Sequence, residues 1–303
     1  MSPFSHEPVL VSLLLEYLDL KPGQVVLDGT VGLGGHALAL APRIAPGGTY
    51  IGLDVDSSLL SRTRERVATV GGVTFHVAAA SYIDFPNVLE KLGVATVDAI
   101  LLDVGANSVQ LDDALRGFSF DRDGPLDMRF DREQRKSALD LVNGLSESDL
   151  ADLFYEAGQE QHSRKIARKI CQVRHFGRIT TTRALAAAVE SLFGPGGLRA
   201  PGRVHPATRV FQALRIAVNG ELENLESVLP IAAEYLSVGG KLAVICFHSL
   251  EDGIVKRFMR AGREIGLKEL TKKPEIADEA ERQANPRSRS AKLRVAQRVE
   301  ADA

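Results

Sequence analysis

Three short apolar runs early in the chain end in aspartate, and segments with helical patterning separate them. Residues 24–28 (Gln-Val-Val-Leu-Asp) are apolar and rich in β-branched side chains. They break at once into Gly29-Thr30-Val31-Gly32-Leu33-Gly34-Gly35, which reads as a strand followed by a tight turn. Residues 36–44 are rich in Ala and Leu and predict a helix, which Gly47-Gly48 ends. A second strand over 49–54 ends in Asp54, and a helix over about 57–68 follows, capped by Asp56 or Ser57. Residues 73–77 and 97–103 supply a third and a fourth strand, the latter ending in Asp103. Apolar strands spaced by helices build βαβ units and a parallel sheet covered on both faces. The expected class is α/β, doubly wound and Rossmann-like.

The next clear buried strand is 241–247, preceded by a Gly239-Gly240 turn. Between Asp103 and Lys241 lie 137 residues, where a helical crossover needs roughly a few dozen. The excess is helical in pattern: 145–157 with Ser146 as N-cap, 161–174, 182–193, and a long stretch over 206–236, with Pro195-Gly196-Gly197 and Pro201-Gly202 as punctuation. The expected organisation is therefore one α/β domain, residues 1–110 and 212–303, interrupted by a small helical subdomain at 111–211. A helix over 250–261, a polar stretch and a final strand over 291–299 close the chain.

Composition narrows the setting. No apolar run approaches the roughly 18 residues needed to cross a bilayer, and the first residues lack the basic and apolar regions of a secretory signal. Two cysteines, Cys171 and Cys246, are too few for a disulfide framework or a thiolate metal site, so a reduced, cytoplasmic protein without a metal is expected. The net charge of −2 hides local asymmetry. Residues 162–183 hold Arg164, Lys165, Arg168, Lys169, Arg174, Arg178 and Arg183 with no acid, and 282–299 hold Arg282, Arg287, Arg289, Lys292, Arg294 and Arg298, again with none. Two such runs point to a polyanionic partner.

A glycine turn after the first strand lets a ligand approach the backbone, and an acid ending the second strand can accept hydrogen bonds from ribose hydroxyls. Gly34 and Gly35 with Asp54 meet that geometry, for a dinucleotide or for S-adenosylmethionine alike. Gly32-x-Gly34-Gly35 lacks the third glycine of the dinucleotide pattern, since Ala37 stands there. Asp28, at the tip of the first strand, would repel a pyrophosphate and help hold an ammonium group, which favours S-adenosylmethionine.

With these residues in view, the chain resembles the bacterial small-subunit ribosomal RNA cytosine-N4 methyltransferase family, known as RsmH or MraW. The matching stretches are His6-Glu7-Pro8-Val9-Leu10, the loop from Asp28 to His36, Gln110-Leu111-Asp112-Asp113, Arg116-Gly117-Phe118-Ser119-Phe120, Asp123-Gly124-Pro125-Leu126-Asp127-Met128-Arg129, His205-Pro206-Ala207-Thr208-Arg209, Phe247-His248-Ser249-Leu250-Glu251-Asp252 and Asn285-Pro286-Arg287-Ser288-Arg289. The resemblance implies a class I S-adenosylmethionine-dependent methyltransferase domain with an RNA-facing insertion. Its activity would be transfer of a methyl group to the exocyclic amine of one cytidine in the decoding region of small-subunit ribosomal RNA, within the assembled subunit. It allows a homodimer and carries cofactor contacts onto Gly34, Gly35, His36, Asp54, Asp103 and Gln110. Where the family has an aromatic residue after the third strand, this chain has Ala80, with Tyr82 two residues on as the alternative. The family's Gly-Val-Ser-Ser after the fourth strand is here Gly105-Ala106-Asn107-Ser108.

A cytosine amine is a poor nucleophile, because its lone pair is delocalised into the ring. Its alkylation needs an acceptor for an N–H and alignment behind the methyl. Asp103, Asn107 and His248 are the candidate catalytic residues; His248 has the competing reading of a cap on the helix that follows it. Two other classes use the same features: a nicotinamide-dependent oxidoreductase, and a non-catalytic RNA-binding assembly factor on a cofactor fold.

Overall fold

The computed structural model describes residues 7–194 and 205–300, so His6 and the Pro-Gly punctuation at 195–202 lie outside the described residues. The chain forms two compact units, one of Met1–Gly105 with Leu222–Ala303 and the other of Ala106–Glu221. The expected boundaries, 111 and 211, differ from these, and the difference places Asn107 and Gln110 in the second unit.

The first unit is built on an eight-stranded sheet: β1 (Val25–Asp28), β2 (Gly48–Asp54), β3 (Val73–Ala79), β4 (Val97–Asp103), β5 (Leu236–Cys246), β6 (Leu267–Glu269), β7 (Glu275–Ile276) and β8 (Lys292–Arg298). Their order is β3-β2-β1-β4-β5-β8-β6, with β7 also paired to β8. β1 to β5 are mutually parallel where they pair, and β8 runs antiparallel to β5, β6 and β7. The chain leaves β1 toward β2 on one side and reaches β4 on the other, so the order reverses between β1 and β4. A crevice opens beyond the carboxyl ends of strands at such a point.

Both faces of the sheet are apolar, which is why its strands read as continuous hydrophobic runs. Leu27, Ile51, Leu53, Ile100, Leu102 and Val244 pack with the helices Phe85–Leu92, Glu221–Tyr235 and Ser249–Ala261. Val26, Tyr50, Ala99, Leu101, Ile245 and Val295 pack with Val11–Leu18, Gly35–Ile44 and Leu60–Val67. β5 begins five residues before the expected 241. Gly239, at φ +86°, sits where the register shifts from Val97↔Leu236 to Ala99↔Lys241, so the expected turn is an irregularity inside the strand.

The second unit is helical: Ser108–Asp112, Ala138–Gly144, Glu147–Glu156, Ser163–Phe176, Thr182–Glu190 and Pro206–Asn219. The long helical stretch expected over 206–236 consists of two helices, because Gly220 at φ +59° caps the first and Glu221 starts the second. The stretch from Arg116 to Arg129, so prominent in the sequence, is a scaffold. Arg116 is buried and donates to the Arg129 and Phe130 carbonyls; Asp127 accepts Arg129 at 2.7 and 2.9 Å; Asn219 accepts the Phe130 N–H and donates to the Met128 carbonyl.

Neither basic run is wholly a solvated face. Arg174 donates to the carbonyls of Val142 and Leu145, and Arg183 to that of Asp121. Arg294, on β8, is 2% exposed and pairs with Asp252 at 2.6 Å; Arg282 and Arg298 donate to the carbonyls of Ala277 and Ala233. The run over 282–299 is thus largely internal to the first unit, because its second half is a central strand. No helix among the described residues is long and apolar enough to cross a membrane.

Candidate active site

The carboxyl ends of β1, β2, β4 and β5 bring Asp28, Asp54, Asp103 and His248 to one rim of the first unit. The loop after β1 is fastened to its neighbours. Gly29 N–H donates to Leu101 and Val31 N–H to Leu53, tying the loop to β4 and β2. Arg66 and Thr63, on the helix Leu60–Val67, donate to the carbonyls of Leu33 and Gly32. Gly34 caps the next helix at φ +75°, with Val67 Cγ1 3.2 Å from where a Cβ would stand. A rigid turn of bare backbone results, closed on its inner side.

Asp54 accepts the Gly32 N–H at 2.9 Å and the Asp56 N–H at 2.8 Å, one on each oxygen. An ionised carboxylate has roughly four acceptor sites, so two remain for hydroxyl donors. Burial pushes its carboxyl up to about 7. The two backbone donors only partly offset that burial, and a vicinal diol can supply two more.

Asp28 is a correction. Its carboxylate is 1% exposed, accepts the Tyr50 hydroxyl at 2.9 Å and the Thr30 N–H at 3.0 Å, and burial raises its pKa. It faces into the protein and is not placed to hold an ammonium group. It holds Thr30 instead, and Thr30 Oγ1 accepts the Asp103 N–H at 2.7 Å. His36 is also buried: its ring lies 2.9 Å from the Val9 carbonyl, to which Nε2 donates, and burial lowers its pKa. In that neutral tautomer Nδ1 is an acceptor, 3.7 Å from Asp103 Oδ2.

Asp103 Oδ1 is buried and has no hydrogen-bond partner among the described residues. Burial, and then the nearby Glu251 charge, push its carboxyl up to about 7. Glu251 lies in the first turn of the helix Ser249–Ala261. In the fold it is 1% exposed, and it accepts the Phe247 and His248 N–H groups at 2.7 and 3.2 Å. Its own N–H donates to His248 Nδ1 at 3.4 Å, and its Oε1 stands 2.9 Å from His248 Nε2. His248 is thus the N-cap of Ser249–Ala261, with its Nδ1 lone pair already used.

Ala80 follows β3 and donates its N–H to the Asp54 carbonyl at 3.1 Å. Tyr82 is the aromatic nearer the loop, its Cβ 2.8 Å from where a Cβ on Gly29 would stand. Asn107 and Gln110, in the second unit, form a reciprocal capping box: Asn107 Oδ1 accepts the Gln110 N–H at 3.0 Å and Gln110 Oε1 accepts the Asn107 N–H at 3.1 Å. Cys246 is buried within β5, and burial pushes its thiol well above the usual range.

The rim brings together a bare glycine turn, a buried Asp54 carboxylate with two open acceptor sites and, among the described residues, a partnerless buried oxygen on Asp103, an arrangement that suits an adenosyl ligand. Comparison with known proteins gives the family. Residues 3–299 match the MraW methylase family. A protein of Deinococcus radiodurans named ribosomal RNA small subunit methyltransferase H is 48% identical, over 98% of this chain and 91% of its own length. One of the same name from Syntrophotalea carbinolica is 45% identical over 98% of each chain. Among solved structures, an rRNA methylase from Streptococcus thermophilus is 10% identical with a TM-score of 0.45, covering 96% of this chain and 94% of that one.

Proposed function

The chain belongs to the MraW methylase family, and from that premise we propose that it methylates the N4 amine of one cytidine in the decoding region of small-subunit ribosomal RNA, within the assembled subunit. S-adenosylmethionine is the donor and supplies an electrophilic methyl group transferred by direct displacement. Asp54 holds the ribose hydroxyls; Gly34, Gly35 and His36 line the turn, with Tyr82 or Ala80 beside it and Gln110 as a further contact.

The observation that carries this reading is the buried, partnerless Oδ1 of Asp103, whose carboxyl lies at about 7. A base is most effective when its pKa is near the working pH. As the amine is alkylated it must give up an N–H proton, and Asp103 Oδ1 accepts it. His248 acts through Glu251, fixing the charge that helps hold Asp103 near neutrality. Asn107 contacts the base. Attack on carbon 5 of cytosine would need a thiolate, and the Cys246 thiol is buried and held protonated. A cytidine stacked in RNA must first be extruded to reach such a rim.

Purified small subunits incubated with the protein and labelled S-adenosylmethionine, then digested to nucleosides for mass spectrometry, test the reading. N4-methylcytidine is expected, and ribosomal RNA from cells lacking the protein should have lost it. A methyl on carbon 5 or on ribose, or a bound nicotinamide cofactor with no transfer, rejects it.

A further inference from the structure

In the second unit, the helices Glu147–Glu156 and Ser163–Phe176 border an open surface cavity of about 330 Å³ lined by Asp152, Tyr155, Gln161, His162, Ser163, Arg164 and Lys165. That volume is at the small end of ligand pockets, which run from roughly 300 to 1,000 Å³. Asp152 and Tyr155 stand three residues apart on one helix and so share a face. Tyr155 is 65% exposed.

These side chains are exposed and uncommitted. Asp152, Tyr155, Gln161, Arg164 and Lys165 make no side-chain hydrogen bond, ion pair or ring contact among the described residues. Their neighbours do: Arg168 meets Glu147 at 3.3 Å, Arg174 donates to two carbonyls, Arg209 donates to Gln159, and the His162 ring packs edge-on against Phe193. An aromatic face, two cations, a carboxylate and an amide therefore converge on one cavity with nothing to bind.

The geometry points to this cavity as the seat of one unpaired ribonucleotide of the RNA substrate. Its base stacks on Tyr155 and presents its polar edge to Asp152 and Gln161, while its phosphate lies by Arg164 and Lys165. Recognition of unpaired RNA by stacking, edge hydrogen bonds and backbone cations is the general mode for single strands. The inference rests on the RNA reading above and adds where a second nucleotide is held.

The chain has no tryptophan, so Tyr155→Trp introduces a unique reporter. Titration of that variant with a 12-nucleotide oligouridylate should quench its fluorescence saturably. Tyr155→Ala should weaken oligonucleotide binding about ten-fold without changing its salt dependence, as loss of one stacked base does. Arg164→Gln with Lys165→Gln should lower the log–log salt slope by roughly 0.7 to 1.4. Phe176→Ala, which removes a 91% exposed ring outside the cavity, should change neither. Binding with no quenching, equal losses from Tyr155→Ala and Phe176→Ala, or uridine monophosphate binding as tightly as the oligomer would overturn the assignment. Methylation of small subunits by the unaltered protein, run in parallel, tells failure of this inference from failure of the enzymatic reading. The former leaves transfer intact with KM unmoved by Tyr155→Ala; the latter abolishes transfer whatever the oligomer does.

Discussion

Asp103 has two consequences that pull against each other. Its folded pKa of about 7 lies above the unfolded carboxyl value. Between about pH 4 and 7 the folded chain therefore keeps a proton that the unfolded chain has released, and stability declines as pH rises through that window before levelling off. In the ligand-free protein Asp103→Asn should remove its share of this decline, leaving that of Asp54, whose carboxyl also lies at about 7. The variant's urea midpoint should exceed that of the unaltered protein at pH 8, with the gap closing by pH 5, because an amide can donate to His36 Nδ1 and carries no buried charge. The same variant should lose about 10²- to 10⁴-fold in kcat, the usual worth of a positioned base. In the unaltered protein, with S-adenosylmethionine saturating so that Asp54 is already ionised, log kcat/KM for the RNA should climb with unit slope to about pH 7 and then flatten; a flat profile from pH 5 to 8 would remove Asp103 as proton acceptor. In the proposed reading Asp54 binds the cofactor. Losing it strands two ribose hydroxyls, at about 1 to 3 kcal/mol, so Asp54→Ala should weaken S-adenosylmethionine roughly ten- to a hundred-fold by calorimetry.

The strands and the glycine turn were legible because each rests on local chemistry. The runs ending in Asp28, Asp54 and Asp103 are apolar on both faces, and a glycine turn leaves an unmistakable trace. What was not legible depends on partners far along the chain. Asp28 reads as a ligand-facing acid, but Tyr50, 22 residues on, turns it inward. The cations of β8 read as a nucleic-acid patch, but Asp252, 42 residues before Arg294, claims one of them. Glu251 matters only because β5 and its following helix start close to β4. Helix boundaries failed where propensity is weak and a single residue decides, as at Gly220. Within the turn, Gly34 is the position where backbone conformation matters most. A side chain at φ +75° costs about 1 to 2 kcal/mol, and a Cβ there would press on Val67 and Thr63. Gly34→Ala should lose about that much stability in a denaturant titration and also bind S-adenosylmethionine more weakly. Loss of stability with cofactor affinity unchanged would show that the turn contributes packing alone.

At the scale of the molecule, one sheet domain is interrupted by a helical unit at a point where the fold can tolerate it. β4 and β5 are adjacent and parallel, and the helix Glu221–Tyr235 that leads into β5 packs Leu225, Val228, Leu229 and Ala232 onto the same apolar cluster as Ile100 and Val244. That is a complete crossover by itself, so the 116 residues from Ala106 to Glu221 are an addition made at its start. The division assigns work to each unit: the glycine turn, Asp54 and Asp103 belong to the first, while Tyr155, Arg164 and Lys165 belong to the second. Replacing 106–221 with a Gly/Ser linker of about eight residues, flexible over roughly 15 Å, should leave a folded protein with a cooperative thermal transition. It should still bind S-adenosylmethionine, at most about ten-fold more weakly because Gln110 is gone, and should neither bind oligouridylate nor methylate small subunits. If the shortened protein folds but retains no cofactor affinity, the donor site is not carried by the sheet unit, and the assignment of Asp54 and the turn as its principal contacts fails with it.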